Sequence, residues 1–203
     1  MTGFAVRPLV EADCAAVAEL HLCHLPTSFH GAAGRRLLAC YYEAVAQGQD
    51  ACGYVIWNED RLAGYACGVW DAEALRSGLL RRRGGEVALW GVLHAATQPR
   101  MLADLRRRLV RGAGEDGAEE PGYELRPIVV APEYRGTGAA TALVESIVAD
   151  ARRRRYPQVH LLAYASDDRA LRFYRKAGFH EAAQIERGGA RFIRFVRETA
   201  EPQ

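Results

Sequence analysis

The residues with the clearest chemistry are Arg135-Gly136-Thr137-Gly138-Ala139-Ala140, between the apolar run Ile128-Val129-Val130 and a long helical pattern from Gly138 to Arg155. The first N–H groups of a helix have no partner within it. They point outward with the positive end of the helix dipole. A phosphate or pyrophosphate is the natural ligand of such an end. Gly136 and Gly138 let the backbone approach that ligand because no Cβ stands in the way, and Arg135 adds charge. A P-loop needs Gly-x-x-x-x-Gly-Lys-Ser/Thr, and nothing after Gly138 fits it. A dinucleotide fingerprint needs a third glycine where Thr141 stands. What remains is Arg-x-x-Gly-x-Ala, formed by Arg135, Gly138 and Ala140.

The elements that must hold this turn follow from pattern. Phe4 to Pro8 alternates and predicts a first strand. Asp13 is placed to cap a helix whose stripe is Cys14, Val17 and Leu20, and Leu25-Pro26 breaks it. A second helix is expected from Ala32 to Gln47. Ala51–Trp57 and Arg61–Val69 flank Asn58-Glu59-Asp60 and predict a hairpin. Residues 72–110, rich in Leu, Ala and Arg, predict two or three helices with breaks at Gly84-Gly85 and Pro99. Gly112 to Gly122 is acidic and Gly-rich, an exposed loop. Leu125 to Ala131 reads as a strand interrupted early by Pro127. In the helix after it, Leu143, Ile147 and Ala151 share one face. Val159 to Ala165 is another strand. Ser166-Asp167-Asp168 starts a last helix that Gly178 ends as its C′ residue, and a hairpin turns at Gly188-Gly189. One mixed sheet with helices on both faces accounts for this order.

Composition narrows the field. The chain has 203 residues, 49% hydrophobic and 26% charged, which suits one globular domain over 1–203 and excludes a disordered chain. The net charge of +2 is too balanced to argue for nucleic acid. Its only lysine is Lys176. Five cysteines without a Cys-x-x-Cys pair speak against a disulfide framework or structural zinc and for a reducing compartment. No apolar run reaches the roughly 18 residues of a membrane span, and the N-terminus lacks the pattern of a signal peptide. The cytoplasm is the expected location.

The Arg135–Ala140 form resembles the pyrophosphate loop of the GNAT superfamily of N-acetyltransferases. A second segment, Asp167-Asp168-Arg169-Ala170-Leu171-Arg172-Phe173-Tyr174-Arg175-Lys176-Ala177-Gly178-Phe179, is similar to that family's run of Asn, Ala, aromatic-Tyr and Gly-Phe. Val6-Arg7-Pro8 with Glu11-Ala12-Asp13 resembles its usual opening. The likeness is good over 123–179, loose over 4–70 and absent over 72–122, which reads as a helical insertion. It implies an α/β fold with a mixed, mostly antiparallel sheet of six to seven strands, splayed between the fourth and fifth. In the opening, the pantetheine arm of acetyl-CoA would pair with Ile128, Val129 and Val130. The pyrophosphate would sit on Arg135, Gly136, Thr137, Gly138, Ala139 and Ala140. No metal is implied.

The implied reaction moves an acetyl group from the thioester to an amine. An aliphatic ammonium titrates near ~10.4, so a base must take its proton before attack. Some family members carry a base glutamate at the position of Glu124. Even spacing puts Glu124 and Val130 on one face of a regular strand, subject to Pro127. The Val130 N–H is the expected oxyanion donor, and Tyr174 matches the family's thiolate-facing acid. Asp167 departs from the usual Asn: an ionised carboxylate only accepts, so it serves better as an N-cap than as a donor to pantetheine. The acceptor side includes His21, His24 and His30, read either as a base or substrate contact or as ordinary loop polarity. Arg81–Arg83 and Arg106–Arg108 read as solvated helix faces or as a lid for an anionic acceptor. Leu79, Leu80, Leu89, Trp90 and Leu93 could support a homodimer. The expected acceptor is a small-molecule amine. The alternatives are a protein or peptide amine, and a non-catalytic acyl-CoA sensor.

Overall fold

A computed structural model describes residues 5–25, 31–97, 122–187 and 189–200, without the side chains of 94–97. The predicted loop over 112–121, the break at Pro99, His30 and the cluster Arg106–Arg108 lie outside the described residues.

Strand β1 (Val6–Pro8) leads into a 3₁₀ turn (Glu11–Asp13) and helix α1 (Cys14–His24). Asp13 does not cap α1 with its side chain. Its carboxylate instead accepts two bonds from Arg7, both at 2.7 Å, one from the Val10 N–H and one from Trp57 Nε1. Burial alone would raise this carboxyl, but the bonds outweigh it and hold it below the usual carboxylate range. The expected cap is thus a tie between β1, α1 and the hairpin strand that carries Trp57.

Helix α2 (Gly31–Ala46) precedes the hairpin β2 (Ala51–Asn58) and β3 (Arg61–Val69). Helix α3 (Ala72–Thr97) bends at Arg83, one residue before the expected Gly84-Gly85 break. Arg83 pairs with Glu43 and Glu86, and Arg82 donates to Gln49, so two of the three arginines at 81–83 bind the fold's own groups. Leu80, Leu89, Val92 and Leu93 are exposed. Strand β4 (Tyr123–Val130), helix α4 (Ala139–Arg153), strand β5 (Gln158–Tyr164), helix α5 (Asp168–Lys176) and the hairpin β6 (His180–Arg187) and β7 (Ala190–Glu198) complete the order.

The strands form one sheet in the order β1-β2-β3-β4-β5-β7-β6. All neighbours are antiparallel except β4 and β5. Apolar side chains divide between its faces. On one, Leu143, Val144, Ile147 and Ala151 of α4 and Leu171 of α5 pack on Leu125, Val159, Leu161 and Phe195. On the other, Val17 of α1 and Leu38, Tyr42 and Val45 of α2 pack on Val55, Tyr65 and Val69. The expected mixed sheet of six to seven strands with helices on both faces is what the chain forms.

Two irregularities in β4 shape the site. The parallel ladder to β5 covers only Tyr123 and Glu124, so the strands part beyond it, between the fourth and fifth strands as expected. The β3–β4 register also slips: Gly68 faces Leu125 while Ala66 faces Ile128, leaving Arg126 and Pro127 opposite Cys67 alone. Such a bulge re-aims the strand and gives Pro127 a place where no ladder N–H is needed. Tyr123 and Leu125 pack toward α4, as do Ile128 and Val130, while Val129 packs toward α1 and α2. The alternation therefore flips across the bulge. Glu124 and Val130 lie on opposite faces, contrary to the even-spacing expectation.

Candidate active site

The site starts from the free edge of β4. Ala131 N donates to the Ala63 carbonyl at 2.9 Å, and Val130 lies opposite Gly64. Antiparallel pairing alternates along a strand, so Val129 and Ala131 spend their backbone groups on β3 while Ile128 and Val130 turn theirs toward the parted side. Arg135 Nε already donates to the Val130 carbonyl at 3.2 Å, which leaves the Val130 N–H on the open edge.

The turn after β4 makes the second wall. Gly136 and Gly138 adopt φ of 79° and 95°, left-handed values that a side chain disfavours. Thr137 Oγ1 closes the turn by donating to the Tyr134 carbonyl at 2.6 Å. Gly138 is the N-cap of α4 and has no side chain to satisfy the first turn. The first intrahelical bond is Ala142 N to the Gly138 carbonyl, so the N–H groups of Ala139, Ala140 and Thr141 lie before the ladder starts. Tyr134 accepts from Asn58 Nδ2.

Helix α5 forms the third wall. Asp167 caps it by accepting from the Ala170 N–H at 2.9 Å, as its sequence position predicts. Phe179 N to the Tyr174 carbonyl and Gly178 N to the Arg175 carbonyl close its C-terminus in the Schellman pattern, with Gly178 at φ 82°. Tyr174 is therefore held at both ends of its turn. Its ring contacts Phe173, Phe195 and Phe179, with centroids 5.3, 5.7 and 5.9 Å away. Its hydroxyl has no hydrogen-bond partner among the described residues. Burial, with the Asp167 charge second, pushes the phenol up to about 12, so at neutral pH it is a donor.

These walls enclose a cleft of about 750 Å³. Of the sequence-predicted residues, Ile128, Val129, Val130, Arg135, Gly136, Gly138, Ala140, Asp167 and Tyr174 line it. Thr137 and Ala139 belong to the turn but do not line it. Glu124 is also outside the lining, bound by Arg126 on the near side of the bulge. His24 and Leu25, at the end of α1, complete the cleft. Their proximity to β4 is a long-range contact with no local signature. His21, three residues earlier, turns the other way. Its Nδ1 lies 2.6 Å from the Tyr42 hydroxyl and 3.1 Å from that of Tyr65, and burial lowers its pKa.

Charge in the cleft is one-sided. Arg135, Arg169, Arg172 and Lys176 line it against one carboxylate among the described residues, Asp167. The last three form a helical repeat of basic residues that is visible within the Asp167–Phe179 segment. Among the described residues no cluster of three or more His, Cys, Asp or Glu side chains could hold a metal, and no helix is long and apolar enough to cross a membrane. The arrangement has the charge and open N–H groups to suit a polyanion along the turn and offers, deeper in, a backbone N–H and a phenol donor.

Comparison with known proteins agrees with this geometry. No curated protein matches the chain in sequence. Solved structures share its fold. An N-acetyltransferase from Staphylococcus aureus is 13% identical with TM-score 0.62, covering 98% of this chain and 100% of its own. Arabidopsis thaliana NAA60 in complex with acetyl-CoA is 15% identical with TM-score 0.61, over 97% and 98%. The ribosomal-protein-S18-alanine N-acetyltransferase of Escherichia coli is 15% identical with TM-score 0.59, over 99% and 97%. The model of the acetyltransferase (GNAT) family matches residues 16–179. With the parted β4 and β5, the open helix end and the basic cleft, that match makes this chain a member of the acetyltransferase (GNAT) family and an acyltransferase.

Proposed function

We propose that the chain transfers the acetyl group of acetyl-CoA to the amine of a small molecule by direct attack. The observation that carries this is the cleft itself: unladdered β4 groups at Ile128 and Val130 run into the open N–H groups at Ala139–Thr141. An extended amide-bearing arm would pair with the strand edge while its diphosphate rests on the turn. The Val130 N–H then donates to the developing oxyanion. Tyr174 donates to the departing thiolate. Asp167 caps α5, with no donor role toward the arm. Two groups are assigned to the proton of the attacking ammonium: His24, the imidazole in the lining, and Glu124, which must work through water.

A protein amine is the second reading. Among fold neighbours the E. coli enzyme named above acts, by its name, on an alanine of a ribosomal protein. Residues 1–203 are read as one acetyltransferase domain acting in the cytoplasm, with a homodimer through the exposed leucines of α3 as a further expectation.

Release of coenzyme A thiol in the presence of a panel of small primary amines and short peptides tests both readings. Turnover with small amines supports the first, and turnover with peptides alone selects the second. No thiol release with any acceptor, alongside tight acetyl-CoA binding, refutes both. Gly138→Val should weaken acetyl-CoA binding, because the residue sits at φ 95° where a β-branched side chain is strained.

A further inference from the structure

Helix α5 carries more positive charge into the cleft than the turn facing it. Arg169, Arg172 and Lys176 follow a spacing of three and four, so at 3.6 residues per turn they fall within about 60° of one another on the helix. All three line the cleft. Phe173 lies next to this stripe, and Tyr174 and Ala170 lie beyond it, so the wall grades from a cationic flank to an aromatic one. Leu171, on the far side, is buried in the core.

The partners of these cations are as informative as their positions. Arg175, turned out of the lining, is paired with Glu181. Arg169, Arg172 and Lys176 make no ion pair or hydrogen bond with any described residue. Arg135, on the opposite wall, spends its Nε on Val130. The open N–H groups at Ala139–Thr141 already suit a diphosphate. Three further cations on the facing wall, unpaired among the described residues, exceed what that diphosphate needs. Coenzyme A offers one more anion, its 3′-phosphomonoester, which carries about −1.5 to −2 charge near neutrality.

We propose that Arg169, Arg172 and Lys176 form a second anion subsite that reads the 3′-phosphate of coenzyme A and selects it over the 3′-dephospho form. The inference rests on the acetyl-CoA reading above and adds a specificity determinant to it. Arginine suits this task because its planar fork meets phosphate oxygens two at a time, while Lys176 acts as a point charge.

Calorimetric titration of the whole chain with coenzyme A and with 3′-dephospho-coenzyme A tests it without knowledge of the acceptor. The wild type should bind coenzyme A on the order of 10- to 100-fold more tightly, a preference that shrinks as salt rises. In the double variant R172Q/K176Q the preference should fall to about twofold or less, with dephospho-coenzyme A affinity nearly unchanged. Arg175→Gln makes the same charge change outside the cleft and should keep the preference. Circular dichroism checks that each variant is folded. Equal affinity of the wild type for both ligands overturns the proposal. So does a variant that loses both ligands equally, because the cations then serve the diphosphate. Failure of the wild type to bind either ligand refutes the acetyl-CoA reading itself, a result distinct from equal binding.

Discussion

Replacing Tyr174 by phenylalanine removes one oxygen and little else. The ring keeps its contacts with Phe173, Phe179 and Phe195, and the lost hydroxyl bonds to no described residue, so no partner is orphaned. Burial pushes the phenol up to about 12, whereas a thiol such as that of coenzyme A lies near ~8.5 by analogy with cysteine. Full proton transfer from phenol to thiolate would thus run uphill. In the proposed reaction Tyr174 would therefore act by donating a hydrogen bond to the thiolate as it departs. A hydrogen bond to a charged group is worth about 1.5–3 kcal/mol, so Tyr174→Phe should lower kcat on the order of 10- to 150-fold. Acetyl-CoA affinity, set by the turn and strand edge, should stay within about twofold, and the melting temperature should barely move. Thiol release measured with a chromogenic disulfide, together with calorimetric titration of acetyl-CoA, separates these quantities. An unchanged kcat, or a loss carried wholly by acetyl-CoA affinity, refutes the donor role. Because the phenol stays protonated across the neutral range, the wild-type rate should also show no limb from Tyr174 below about pH 11.

The proton acceptor is assigned by comparing His24→Gln with Glu124→Gln. A base in direct contact should cost on the order of 10²–10⁴-fold in kcat, and the variant with that loss identifies it; equal, small losses in both would dismiss both assignments. Leu143→Ala empties a fully buried position of α4 and should cost about 2–5 kcal/mol in chemical denaturation; a cost below about 1 kcal/mol would mean that α4 does not pack on the sheet as described. Asp13 has a folded pKa below its unfolded value, so its contribution is full above about 3.9 and is lost as pH falls through the folded value. Asp13→Asn should cost about 2 kcal/mol at pH 7 and flatten the acid limb of the stability curve below about pH 4; an unchanged limb would place the stabilising carboxylate elsewhere.

The parts legible in the chain were those set by neighbours in sequence. Asp167 caps α5 through Ala170, three residues on. Gly178 ends the same helix within one turn. The Gly136–Gly138 turn is likewise local, as is the helical repeat of α4. What the chain did not disclose depends on distant partners. The immediate neighbours of Asp13 predict a cap; Arg7 on β1 and Trp57 on β2 claim its oxygens instead. His24 and His21 looked alike in sequence. They differ because one end of α1 meets β4 while an inner turn meets Tyr42 and Tyr65.

Strand β4 shows why its place in the sheet could be foreseen while the facing of its side chains could not. One edge must stay bound to β3 for the sheet to hold, and the other must be free for a ligand. Parting from β5 after Glu124 frees that edge. The bulge at Arg126–Pro127 then turns Val130 toward α4 and leaves Glu124 on the opposite face. An even count of residues is a guide to facing only when every intervening residue has a partner across the ladder, and here two residues share one. The same slip that spoils the count for Glu124 also gives Val129, rather than Val130, the inward place beside α1 and α2. A glutamate base on this strand would thus act across Val129's face, the side on which α1 delivers His24. That convergence is why the two variants must be read together.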